Sequence, residues 1–119
     1  MKFFSIFTID PSTMAGPPGE KIMADMNSLI AELIASGKLV DTGGRAPTGT
    51  SLRIERANGN VRVTDGPFTE SKEIVGGFAV FNVESKDEVI ALTRRFLEVV
   101  GSGTCQLFEV SEMPEHLHK

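Results

Sequence analysis

The stretch Val63-Thr64-Asp65-Gly66-Pro67-Phe68-Thr69-Glu70-Ser71-Lys72-Glu73, running into Ile74-Val75-Gly76-Gly77-Phe78, separates two groups of strands and sets the plan of the chain. Gly66 can take backbone angles that a residue with a Cβ avoids. Pro67 fixes its own φ, removes an N–H and keeps the preceding residue out of the α region. Asp65 is the type of side chain that bonds forward to the N–H groups of its own turn. Phe68 offers an aromatic anchor. A turn this restricted holds the polar groups after it in place, directly ahead of a strongly apolar strand.

Downstream, Gly77 to Val83 is a strand with apolar residues on both faces, Phe78 and Val80 opposite Ala79, Phe81 and Val83. Ser85-Lys86-Asp87-Glu88 is a capping box, and the helix it opens carries Val89, Leu92, Phe96 and Val99 on one stripe before stopping at Gly101. Gln106 to Val110 is the last strand, and Glu112 to Lys119 is a polar tail. Upstream, Ser51 to Arg56, the pair Asn58-Gly59, and Asn60 to Thr64 spell a hairpin. Leu52 and Ile54 alternate there with Arg53 and Glu55, which predicts one wet face. Lys38 to Gly44 reads as a strand leaving through a loose segment, Gly43 to Thr50. Glu20 to Ser36 is a helix with the stripe Ile22, Met26, Leu29 and Leu33, widened by Ile30 and Ile34 and ended by Gly37. Lys2 to Ile9 is a first strand, with Phe4 and Ile6 on one face and Phe3, Phe7 and Ile9 on the other.

The order strand, helix, strand, hairpin, strand, helix, strand predicts an α+β, ferredoxin-like antiparallel sheet with two helices on one face and an inserted β-hairpin. Two helices cover one face only, yet pairs such as Phe78/Phe81 and Leu107/Phe108 point bulky groups both ways. At about 25 cal/mol per Å2, several uncovered aromatic side chains forfeit several kcal/mol and leave a sticky patch. A second copy of the sheet, related by a two-fold axis, removes that cost. The expectation is a homodimer packed back to back as a dimeric α+β barrel, with a cleft between each sheet and its loops.

Length and charge narrow the function classes. The 119 residues suit one domain, 1–119, with a core that needs no staples. A net charge of -4, with scattered Lys and Arg, argues against a nucleic-acid surface. No apolar run reaches the roughly 20 residues that span a bilayer. A single Cys105 suits a reducing compartment, so the expected location is cytoplasmic, with no membrane or nucleic-acid partner.

Candidate chemistry centres on the restricted turn. Asp65 reads either as a general acid or base at a cleft mouth, or as the acceptor that fixes its own turn. Glu70, Lys72 and Glu73 either orient an acidic ligand or form a solvated, salt-bridged run. Phe68 and Phe78 would line the cleft, and Arg45 or Arg53 would supply bidentate anion binding. Gly43-Gly44 and Gly76-Gly77 lack phosphate-loop spacing and read as a strand end and a bulge. His116 and His118 lie in the tail, Cys105 reads as a packed thiol, and no metal set or cofactor motif is present in the sequence.

The segment Thr64-Asp65-Gly66-Pro67-Phe68, with Glu70, Lys72-Glu73 and Gly76-Gly77-Phe78, resembles the signature of DGPF-domain proteins within the YCII-related family. The Phe-rich first strand, Gly43-Gly44 and the acidic-capped second helix agree with it across nearly the whole chain. The resemblance implies a dimeric α+β barrel. For function it implies little: some members look like accessories of sigma factors, and relatives on the fold are small isomerases, lyases or oxygenases. Two departures stand out. Phe108 occupies a place where many members carry an Arg, and Thr93-Arg94-Arg95-Phe96 replaces a frequent Ala-rich ending. If that arginine binds a carboxylate elsewhere in the family, its role is lost here or has passed to Arg45 or Arg53. The wider family's cleft histidine has no counterpart. The residues therefore favour a dimer binding a small organic ligand beside the Asp-Gly-Pro-Phe loop, with acid/base chemistry of an isomerase or lyase kind. The alternatives are a non-catalytic regulatory module associated with a sigma factor, or a fold-retaining non-enzyme.

Overall fold

The computed structural model describes residues 1–10, 19–45, 51–66 and 74–111. Its elements are β1 (Lys2–Ile9), α1 (Glu20–Ala35), β2 (Leu39–Gly44), β3 (Leu52–Ala57), β4 (Asn60–Asp65), β5 (Ile74–Asn82), α2 (Lys86–Val100) and β6 (Thr104–Glu109). β2, β5, β1 and β6 form a four-stranded sheet in that order, with every neighbouring pair antiparallel. β3 and β4 make a separate two-stranded sheet. This is the ferredoxin-like α+β arrangement with an inserted hairpin that the element order predicts.

Local chemistry explains the element ends. The N–H of Gly37, at φ 77°, donates to the Ile34 carbonyl, and that of Lys38 to Leu33, both at 3.0 Å, closing α1 with a left-handed glycine. At the start of α2 the Ser85 hydroxyl accepts the Glu88 N–H at 3.1 Å. The Glu88 carboxylate reaches one residue further back than a capping box requires, accepting the Glu84 N–H at 3.0 Å. Its other oxygen takes the Lys38 ammonium, tying α2 to the chain entering β2. Gly101, at φ 91°, ends α2 as the sequence predicts.

The core lies between the helices and one sheet face. Leu29 and Leu33 of α1 and Val89 and Leu92 of α2 pack with Phe3, Leu39, Phe81 and Val83. Phe7 meets Phe96 edge to face, centroids 5.1 Å apart. Ile34, expected to widen the buried stripe, is instead exposed. Ile30, one helical turn earlier on the same flank, does pack against the core, so the stripe is widened in the middle of α1 and not in its last turn.

The register slips between Phe7 and Thr8: Phe7 faces Gly77 while Thr8 faces Val75, leaving Gly76 as the bulged residue. Beyond this bulge Ile74 and Val75 still pair with β1, so β5 begins three residues earlier than its apolar run suggests. β6 likewise begins at Thr104, which pairs with Thr8. A hairpin with one wet face was the expectation for β3 and β4. Every residue of both strands is exposed, so here both faces are wet.

Candidate functional site

Pairing places Phe4 opposite Val80 on one side and Phe108 on the other, with Ile6 opposite Phe78 and Gln106. Directly paired residues share a face, and neighbours in sequence alternate. The buried Phe3, Ser5 and Phe81 fix the helix side, so Phe4, Ile6, Phe78, Val80 and Phe108 all belong to the helix-free side. Phe4 and Phe78 stack there, centroids 6.1 Å apart. Phe78 keeps 37% of its surface exposed and Phe108 keeps 47%, so this apolar face is uncovered within the single chain.

At the β2–β5 end of this face the strands approach closely. Gly43 pairs with Phe78, and a Cβ on Gly43 would stand 2.8 Å from the Phe78 ring edge. The ring therefore lies over the glycine, filling space that any side chain at position 43 would claim. Thr42 steadies β5 here, its hydroxyl donating to the Phe78 carbonyl at 2.8 Å. The Arg45 N–H donates to the Gly76 carbonyl at 2.8 Å, extending the ladder past β2. Arg45, exposed, thus leaves the sheet two residues beyond the glycine that carries the Phe78 ring. An aromatic plane beside a guanidinium-bearing strand end suits an organic anion: the ring takes the apolar part and the fork takes a carboxylate.

Among the residues the sequence singles out, Phe78 and Arg45 come together at this end. Asp65 is the last residue of β4 rather than a loop residue; it is exposed, pairs with Leu52 and shares the hairpin face of Ile54 and Val63. The hairpin closes behind it through the Gly66 N–H and the Ser51 carbonyl, 2.7 Å apart. Phe68, Glu70, Lys72 and Glu73 lie outside the described residues, as do His116 and His118. Phe4, the stacking partner of Phe78, escaped the list of candidates. Its alternation with Phe3 shows in the sequence, but its pairing with Val80 and Phe108 does not.

No group of three or more metal-ligating side chains occurs among the described residues. Cys105, opposite Phe7 in the ladder, is half-buried; burial pushes its thiol up, and a hydrogen bond from Ser5 only partly opposes this. A groove of about 450 Å3 between α1 and α2 lies on the other side of the molecule. Both of its cations among the described residues are already paired: Lys21 meets Asp25 at 2.9 Å, and Arg95 forks onto Glu32 at 2.7 and 3.0 Å, while Glu98 adds a further carboxylate. The hydrogen bonds and charge of Arg95 hold the Glu32 carboxyl below the usual range, and those of Glu32 raise Arg95. A groove whose cations are already paired and which carries the extra Glu98 carboxylate offers an anionic ligand little, and the aromatic face is the better candidate.

No helix among the described residues is long and apolar enough to cross a membrane. An uncharacterized protein of Rhizobium meliloti (strain 1021) is 31% identical over 75 residues; the match spans 63% of this chain and 60% of that protein. A solved structure of 5-chloro-2-hydroxyhydroquinone dehydrochlorinase from Burkholderia phenoliruptrix AC1100, in complex with 2,5-dihydroxybenzoquinone, superposes with a TM-score of 0.49 at 17% identity, covering 98% of each chain. Similarity at that level carries nothing over to the chemistry of this chain. The YCII-related domain model matches residues 1–114, and the chain belongs to that family.

Proposed function

We propose that this protein is a homodimer that binds a small organic acid in a cleft at the Arg45–Phe78 end of the helix-free face, with Asp65 exchanging a proton with the ligand. One observation carries this reading: a stacked aromatic pair, Phe78 exposed and Phe4 half-buried, lies on the helix-free face beside the strand end that bears Arg45. Two-fold packing of the sheets would shelter most of the aromatic surface and leave its margin as a half-polar hollow. In this reading Phe78 and Phe68 hold the apolar part of the ligand, Arg45 holds its carboxylate, and Glu70, Lys72 and Glu73 set the polarity of the rim. Asp65 then serves as acid or base on an adjacent carbon or hydroxyl.

Light scattering at micromolar concentration is expected to give about twice the 12.8 kDa chain mass. Thermal shift against a panel of aromatic and 2-oxo carboxylates is expected to raise the melting temperature, and Arg45→Ala to abolish the shift. Asp65→Asn is expected to keep binding and remove solvent exchange of the ligand's acidic C–H, followed by NMR in D2O. The absence of any stabilising ligand, with Asp65→Asn altering stability alone, would overturn the proposal.

A further inference from the structure

The hairpin presents a second uncovered surface, of which the proposed ligand site uses only Asp65 at one end. Its register alternates cleanly: Leu52, Ile54, Val61, Val63, Arg56 and Asp65 share one face, and Arg53, Glu55, Arg62 and Thr64 share the other. The four aliphatic residues retain 53, 65, 63 and 59% of their surface, so an amphipathic ribbon has its apolar face in water. An isolated two-stranded ribbon is at best marginally stable in water. The radius of gyration, 16.6 Å, exceeds the about 13.5 Å expected for a compact chain of this length, in keeping with a hairpin that stands off the body.

We infer that the apolar face of each hairpin packs on a second copy of this chain, clasping the dimer beside the ligand cleft. This rests on the homodimer proposed above. The own sheet is not the occupant, because every hairpin residue is exposed where the chain stands alone. The face holds no aromatic anchor and carries Asp65, and on the opposite face Glu55 offsets one of the two arginines, so the ribbon does not suit a lipid surface. Area favours a second copy. The hairpin face and the exposed part of the helix-free sheet face each present on the order of 400 Å2, and together they approach the roughly 800 Å2 per partner of a standard stable interface. Length agrees: six residues per strand extend about 20 Å, close to the about 19 Å width of four strands. The hairpin is inserted between Gly44 of β2 and Ile74 of β5, so both connections leave from the end that carries Arg45 and Phe78. Two chains thereby wall the cleft.

The test uses the full chain in sedimentation equilibrium. Ile54→Glu with Val63→Glu is expected to weaken the dimer at least tenfold with the far-UV circular dichroism unchanged, while Glu55→Gln with Arg62→Gln on the opposite face leaves it unaltered. A photo-cross-linking amino acid at position 54 is expected to yield a covalent species of two chains. An undiminished dimer in the Ile54/Val63 variant, or a cross-link confined to one chain, overturns the clasp. Phe108→Glu separates the two ideas: it disrupts the sheet-to-sheet dimer whether or not the hairpin contributes. A monomeric wild-type chain overturns both.

Discussion

Gly77→Ala tests the close approach of β2 and β5 that sets the candidate site. A Cβ at position 77 would stand 2.6 Å from the Gly43 carbonyl oxygen and 3.3 Å from the Gly44 Cα. Both obstacles are backbone, so no rotamer change relieves them and the strands must part. Parting endangers the Arg45 N–H to Gly76 bond and the Thr42 hydroxyl bond to Phe78, both 2.8 Å. Losing one to two such bonds costs about 1–2 kcal/mol, and the residual overpacking adds about 1 or more. Against this, alanine stiffens the unfolded chain and returns about 0.5 kcal/mol. The expected net loss is about 2 kcal/mol, or about 8 °C in melting temperature for a chain of this size. With no Trp or Tyr, far-UV circular dichroism is the natural probe, at fixed protomer concentration because a dimer's stability depends on it. Gly43→Ala is the internal comparison: its Cβ meets the Phe78 ring, which can tilt, so its stability loss is smaller while ligand binding suffers more. A Gly77→Ala protein within about 0.5 kcal/mol of wild type, below the overpacking range, would refute the close-approach account.

Thr93 lies buried in α2 with its hydroxyl lacking a hydrogen-bond partner among the described residues, so Thr93→Val should stabilise by about 1 kcal/mol in urea titration. Glu32 and Glu88 both have carboxyls held low, the first chiefly by hydrogen bonds from Arg95 and the second chiefly by one from Lys38. Their stabilising contributions are present above the unfolded carboxyl value near pH 4.3 and fade as pH falls through the lower native values. Melting temperature followed from pH 5 to 2 should therefore drop less steeply for Glu32→Gln with Glu88→Gln than for wild type. Cys105 should react with a disulfide reagent at pH 8 at least tenfold more slowly in the native protein than in urea, because burial disfavours its thiolate.

The sequence alone determined what a few neighbouring residues can settle. The Ser85–Glu88 cap, the glycine stops at Gly37 and Gly101 and the Asn58-Gly59 turn all act within one turn of chain. Alternation likewise marked β1 and β5 as apolar on both faces and put Phe78 on the face opposite Phe81. Tertiary structure decided what depends on segments far apart meeting. That β5 lies between β2 and β1, so that Gly43 seats the Phe78 ring and Arg45 borders it, follows from pairing across more than 30 residues. Which side of each two-faced strand the helices cover was settled by Leu29, Leu33, Val89 and Leu92 docking onto Phe3 and Phe81. Periodicity records that a hairpin has an apolar face, but not whether anything covers it. Only the exposure of Ile54 and Val63 in the folded chain shows that no described element of the chain does.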